Sequence, residues 1–224
     1  MTDNILNDKN RPGKSRSPGH MVFMMAAAAV CLIVFCVLLW SVYKGSASAF
    51  DDPVRKFIYG MRSELLTPIM KIITYTGNWQ TVTALCIVLL LIKKTRITYG
   101  IPTAAGAVIV TVLNNVIKTI VERPRPDTAL HLIEQGGWSF PSGHSITSMC
   151  VFAILIYLVR TNVQNRRTAN LLTVLLAIPM VMIGISRMYL GVHYPADVLA
   201  GWCLGLAVAL SILAYRQHRL LIKQ

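Results

Sequence analysis

Acidic residues are scarce in this chain. Asp and Glu together number nine in 224 residues, and all charged residues make up 14%, against roughly 25% in a typical soluble domain. A sequence so poor in charge is not that of a soluble globule. It also offers no carboxylate cage of the kind that holds Mg²⁺ or Ca²⁺. The five cysteines, Cys31, Cys36, Cys86, Cys150 and Cys203, all sit inside apolar runs. None has CxxC spacing and no Cys/His cluster suggests zinc, so buried free thiols in apolar helices are expected. There is no internal repeat. What the chain has in excess is apolar residues, 54% of the total, and positive charge, a formal net of +13. The basic residues form no stripe on a polar face, which speaks against nucleic acid. They gather at the ends of apolar runs, where they report membrane orientation.

The length suits one domain. Residues 1–20 are a polar tail with Lys9, Arg11, Lys14 and Arg16, expected to be disordered and cytoplasmic. Residues 21–43 are almost wholly apolar. A cleaved signal peptide is the competing reading, kept open by Ser46-Ala-Ser-Ala49, but the run is long enough to cross roughly 30 Å of hydrocarbon at about 1.5 Å per residue. In 44–69, Phe50-Asp51-Asp52-Pro53 resembles a helix start. Phe57, Ile58, Met61, Leu65 and Leu66 then recur at helical spacing, so a short amphipathic helix at the interface is predicted, its Arg and Lys meeting lipid headgroups. Further spans are centred on 81–92 (reaching back toward Ile69 through Asn78 and Gln80) and on 99–121, 145–159, 171–188 and 198–215. The predicted fold is an all-α polytopic membrane protein with six transmembrane helices over residues 21–216 and a short tail over 217–224. Lys93, Lys94, Arg96, Arg160, Arg166, Arg167, Arg216, Arg219 and Lys223 fall on one side, read as cytoplasmic together with both termini. The segments 44–69, 122–143 and 187–197 fall on the other.

Three polar clusters interrupt the apolar sequence, all on that second side. In the segment 141–144, Pro-Ser-Gly-His, a span begins, and its free N–H groups and helix dipole favour an anion. Gly143 permits close backbone approach and Ser142 can donate its hydroxyl. Ser142 would serve equally as an ordinary N-cap, whereas His144 at a membrane boundary needs a partner or a task. In the segment 186–197, His193 and Asp197 are four apart with Pro195 in the first turn of the last span. The carboxylate can return to the imidazole, fixing its tautomer and leaving the other nitrogen as nucleophile or base. Arg187 has the planar fork that fits phosphate oxygens. A structural His–Asp cap with a snorkelling Arg is the alternative. In the segment 118–126, Lys118 is a compact cation and Arg125 a bidentate donor stiffened by Pro124 and Pro126; alone, these read as charge at a helix end. Each bland reading explains one cluster. None explains why cations, donors and a His–Asp pair share one membrane face.

The clusters resemble the signature of the type 2 phosphatidic acid phosphatase superfamily: Lys-x6-Arg-Pro, Pro-Ser-Gly-His and Ser-Arg-x5-His-x3-Asp. Every fixed position is matched, from Lys118, Arg125 and Pro126, through 141–144, to Ser186, Arg187, His193 and Asp197. The resemblance implies a metal-independent, cofactor-free lipid phosphatase. In it His193 would attack phosphorus and form a phosphohistidine, Asp197 would orient it, and His144 would protonate the leaving oxygen and then activate water. Lys118, Arg125, Ser142, Gly143 and Arg187 would hold the phosphoryl oxygens. Glu122 and Arg123 are expected to pair and support the loop. The resemblance further implies the inner membrane of a bacterium. The substrate would be undecaprenyl diphosphate, favoured by an outward-facing site on a small chain, or alternatively phosphatidylglycerophosphate or phosphatidic acid. A lipid A phosphatase or phosphotransferase is a further possibility. A non-catalytic lipid-phosphate carrier would need only the cations, and six lipid-length spans set the chain apart from a soluble vanadium haloperoxidase.

Overall fold

The computed structural model describes residues 18–222. The expected tail therefore lies outside the described residues, except for 18–20, which open the first helix. The described chain is helical: α1 (Pro18–Tyr43), α2 (Ser48–Gly60), α3 (Leu66–Thr76), α4 (Trp79–Leu91), the single turn α5 (Lys93–Thr95), α6 (Ile101–Val121), α7 (Gly143–Asn162), α8 (Arg166–Tyr189) and α9 (Pro195–Ile222). A π-helical turn, Arg96–Gly100, joins α5 to α6. Among the described residues, five helical stretches are long and apolar enough to cross a membrane: α1, the 93–121 stretch, α7, α8 and α9.

The stretch predicted as the second span is instead two shorter helices, α3 and α4. The break falls at Gly77 and Asn78, where Asn78 is extended at the front of α4. A Cβ on Gly77 would stand 2.6 Å from Ile183 Cγ2, so α8 presses against the break. Asn78 turns its side chain inward there. The amphipathic segment is helical only in its first part: α2 begins two residues before the predicted Phe50 and holds Phe57 and Ile58, whereas Met61 and Leu65 fall between helices and Leu66 opens α3. At the far end of the chain, residues 217–222, expected as a tail, are the last turns of α9.

Helix α7 is the centre of the bundle, packed by α6, α8 and α9, and α1 lies along α9. The main core joins Ile146, Cys150, Ile154 and Leu158 of α7 to Ala200, Leu204 and Leu213 of α9. Two glycines set the α7–α9 spacing: a Cβ on Gly201 would lie 2.9 Å from the Ser142 carbonyl oxygen, and one on Gly205 only 2.3 Å from that of Ile146. Outward faces of α1, α6 and α8 leave Ile33, Val37, Val108, Val112 and Val174 exposed. Large apolar surface of this kind is stable against lipid and not against water.

Helices α6 to α9 alternate in direction, so the C-terminal ends of α6 and α8 meet the N-terminal ends of α7 and α9. Cross-bonds mark this end: Ser142 N–H donates to the Asp197 carbonyl at 3.0 Å and Leu132 N–H to the Leu190 carbonyl at 2.9 Å. All three polar clusters lie here. The opposite end carries Lys93, Lys94, Arg160, Arg166 and Arg167, and there Arg216 Nη1 donates to the Thr98 carbonyl at 2.6 Å.

Candidate active site

The opening of α9 builds the first part of the site. Pro195 is the first helical residue, where its missing N–H is harmless. Two residues on, Asp197 reaches back so that its Oδ2 accepts the Tyr194 N–H at 2.9 Å, one half of a capping box. The same Oδ2 stands 3.3 Å from His193 Nδ1 and accepts a short hydrogen bond from the Ser139 hydroxyl. His193 and Asp197 are both buried. A carboxylate only accepts, so the Nδ1 that faces it carries the proton, and Nε2 keeps its lone pair. Arg125 Nη1 lies 3.1 Å from Nε2 and donates to it. Burial, and then the charges of Arg125, Arg187 and Lys118, hold His193 well below the ordinary histidine value of 6.5. The imidazole is therefore neutral at physiological pH.

Those three cations surround His193 from different elements. Lys118, in the last turn of α6, donates to the Trp138 carbonyl at 2.5 Å and the Ser139 carbonyl at 3.2 Å. Arg125 spreads its fork over the carbonyls of Gly137 at 2.9 Å, Trp138 at 3.1 Å and Val192 at 2.7 Å. Burial lowers Arg125 to about 10, with Asp197 pulling the other way, so it remains charged at neutral pH. Arg187 donates through Nη1 to Thr74 Oγ1 at 2.9 Å and through Nη2 to Gln135 Oε1 in a short bond. Its buried Nε finds no acceptor among the described residues. Much of the guanidinium and ammonium surface is thus satisfied by segment 135–139, by contacts that an anion's oxygens can take over.

The second cluster opens α7. Ser142 is the N-cap: its Oγ accepts from the Ser145 N–H at 3.4 Å and from the Ser145 hydroxyl at 2.8 Å. Capping and an anion-binding role are compatible, because the Ser142 hydroxyl hydrogen stays available. Gly143 faces the Asn114 amide, 3.3 Å from where a Cβ would stand. His144 Nε2 lies 2.7 Å from Asn78 Oδ1 and donates to it, leaving Nδ1 with the lone pair. Beside His144 a cavity of about 520 Å³ runs between α4, α6 and α7, lined by Val82, Ile87, Ala107, Val108 and Val112.

All the residues predicted for the site gather at this one end of the bundle. One expected pairing is different. Arg123 does not pair with Glu122. It donates through Nη1 to Asp197 Oδ1 at 2.7 Å and through Nη2 to Asp51 Oδ2 at 2.5 Å. Glu122 instead takes the left-handed conformation that ends α6. Burial tends to lower Arg123, but Asp197 and Asp51 outweigh it and hold the guanidinium above its usual value. Asp51, read from the sequence as a helix-start acid, is fully buried against the site. The basic residues of that segment also have structural partners: Arg62 donates to the carbonyls of Tyr189 at 2.9 Å and Leu130 at 3.0 Å. Sequence reasoning missed Asp51, Ser139, Gln135 and the Asn78–His144 bond. Asn78 alone carried a signal, as an amide within an apolar run.

A bundle of membrane-length helices with a His–Asp pair, a second histidine and three cations at one end is the architecture of a helical membrane phosphatase. Residues 99–221 match the family model of the PAP2 superfamily. A phosphatidylglycerophosphatase B of Bacillus subtilis is 30% identical over 181 residues, 78% of this chain and 87% of that protein. An undecaprenyl-diphosphatase of Sulfolobus acidocaldarius is 35% identical over 132 residues, 57% of this chain and 58% of that one. The crystal structure of a PAP2-type phosphatidylglycerolphosphate phosphatase from Bacillus subtilis superposes with a TM-score of 0.76 at 28% identity, covering 85% of this chain and 96% of that one. The chain belongs to the PAP2 superfamily and is a membrane phosphatase of that type.

Proposed function

We propose that this protein removes the terminal phosphate of a membrane lipid through a phosphohistidine on His193, without a metal. The observation that carries this reading is the state of His193: neutral, with Nδ1–H held toward Asp197 and the Nε2 lone pair turned to Arg125. In the first half-reaction Nε2 forms a bond to phosphorus, the bond from phosphorus to the lipid oxygen breaks, and His144, entering the step with a second proton on Nδ1, gives that proton to the oxygen and keeps the Nε2–H on Asn78. In the second, His144 takes a proton from water, the water oxygen bonds to phosphorus, and the N–P bond breaks to release phosphate. Asp197 balances the positive charge that develops on the imidazole. Lys118, Arg125, Arg187, Ser142 and the Gly143 N–H bind the phosphoryl oxygens and stabilise the charge they gain in the transition state.

The apolar cavity that adjoins His144 supports a lipid substrate, since it offers a place for chain carbons next to the group that protonates the leaving oxygen. The basic loops at the opposite end of the bundle support a site facing away from the cytoplasm of a bacterial cell membrane, with both termini inside and α3 and α4 together making the sixth crossing. Undecaprenyl diphosphate suits the outward-facing site and is the substrate named for the Sulfolobus relative. Phosphatidylglycerophosphate is favoured by the relative that aligns over most of the chain. The test is phosphate release by the purified protein in detergent with chelator, both lipids side by side and His193→Ala as control. Release that survives chelator and is abolished in the variant is expected, and the relative kcat/KM ranks the lipids. No release from either lipid would overturn the reading.

A further inference from the structure

The carboxylate beside His193 is held in place by a second one. Asp51 comes from α2, far away in sequence, and is fully buried. Its Oδ1 accepts the Ala196 N–H at 2.8 Å and its Oδ2 accepts Arg123 Nη2 at 2.5 Å. The other nitrogen of that fork reaches Asp197 Oδ1 at 2.7 Å. Arg123 is also stacked on the Tyr194 ring, 3.9 Å from its centroid, so the guanidinium has little freedom. One cation thus bridges two buried carboxylates, and only the second of them touches His193.

We propose that Asp51 is a positioning residue for the phosphatase reaction: through Arg123 and the Ala196 N–H it fixes where the Asp197 carboxylate stands and offsets the charge of Arg123 behind it. This rests on His193 as the nucleophile. The physical reasoning concerns charge as much as geometry. Lys118, Arg125 and Arg187 already place three positive charges around His193, with His144 on α7 as the other titratable group in reach. Arg123 paired to Asp197 alone would leave that carboxylate's charge spent on the guanidinium, and the imidazole would lose its counter-charge. Asp51 neutralises Arg123 and frees Asp197 to serve His193. Burial pushes Asp51 above the usual carboxylate range, while Arg123 and the Ala196 N–H hold it down. The small α2 segment thereby acquires a part in the chemistry, beyond covering the end of the bundle.

The experiment compares Asp51→Asn with Asp51→Glu in the full chain, in detergent, using the better of the two lipids. Asn keeps the oxygen that accepts from Ala196 and removes the charge. Glu keeps the charge and disturbs the packing. Asp51→Asn is expected to lower kcat by about 10- to 100-fold, the range for partners that orient a reacting group, with KM changed less than about twofold. It should also move the acidic limb of kcat/KM to lower pH, because one more net positive charge faces His193. Asp51→Glu should leave the limb where it is. Combining Asp51→Asn with Arg123→Gln removes the excess charge and should bring the limb back toward the wild-type position, a result that simple loss of packing would not produce. Monodispersity on size exclusion checks folding of each variant. Unchanged kcat and an unmoved limb in folded Asp51→Asn would overturn the inference, as would identical behaviour of the Asn and Glu variants. Release of phosphate by His193→Ala would instead overturn the underlying reading of the nucleophile.

Discussion

Replacing Asp197 by Asn keeps the size of the side chain and changes only what its atoms can do. Every neighbour of this carboxylate is a donor. Arg123 Nη1 donates to Oδ1 at 2.7 Å, and His193 Nδ1 at 3.3 Å, the Tyr194 N–H at 2.9 Å and the Ser139 hydroxyl all address Oδ2. An amide has one oxygen and one NH₂, so one of the two positions must become a donor facing donors. With the NH₂ at Oδ1 it opposes a guanidinium. With the NH₂ at Oδ2 it opposes a backbone N–H that cannot turn away, and it drives the imidazole to carry its proton on Nε2, where the lone pair is needed. In both arrangements the imidazole loses the negative charge that balances it during attack. Loss of two charge-assisted bonds at about 1.5–3 kcal/mol each gives a barrier higher by about 3–6 kcal/mol, or about 10²- to 10⁴-fold in kcat at about 1.36 kcal/mol per decade. The equivalent change in a Ser-His-Asp triad has a similar effect. Single-turnover phosphate release at saturating lipid measures it, with thermal unfolding as a check that the fold survives. Asp197→Asn within about tenfold of wild type would refute the pairing as described.

Three further outcomes are expected. The His193 limb of kcat/KM should lie below pH 6.5: the attacking imidazole must be unprotonated, and its value is lowered in the free protein, so activity tied to His193 is retained as pH falls through 6.5 and is lost only below it. A profile between about pH 4 and pH 8 tests this, and a limb above 6.5 would contradict it. Asn78→Leu removes the acceptor 2.7 Å from His144 Nε2 and should lower kcat about 10- to 100-fold, read in the same release assay; an unchanged kcat would show that the bond does not orient His144. Gly205→Ala puts a methyl 2.3 Å from the Ile146 carbonyl oxygen and should destabilise the α7–α9 contact by about 1–3 kcal/mol. Its Tm in detergent should fall below that of Gly60→Ala, where a methyl meets nothing within 4 Å.

The helices were legible where the sequence holds long apolar runs, because such a run can only be buried or lie in lipid. The three clusters were legible because polar groups in apolar sequence stand out, and the basic residues at the other ends of the apolar runs pointed to their sharing one end of the bundle. Two kinds of feature escaped. One was the interruption at Gly77 and Asn78: the polar stretch over 76–81 reads as lying within one span, and the packing of α8 against Gly77 shows where the helix breaks. The other was partnership over long sequence separation. Asp51 sits 72 residues from Arg123 and Ser139 sits 58 from Asp197, and no local pattern links them. Arg123 illustrates this most plainly. Its sequence neighbour Glu122 was the obvious partner, yet the left-handed turn at Glu122 and the direction of the loop give Arg123 to two carboxylates from other helices.

The phosphohistidine itself is the most direct point of test. Substrate labelled in its terminal phosphate would be mixed with excess protein, quenched in alkali within the first turnover and digested. The expected result is an acid-labile, alkali-stable phosphoryl group on a single peptide containing His193, formed without added metal and missing in His193→Ala. A first turnover that releases phosphate with no label on the protein, or label on a peptide without His193, would contradict the mechanism.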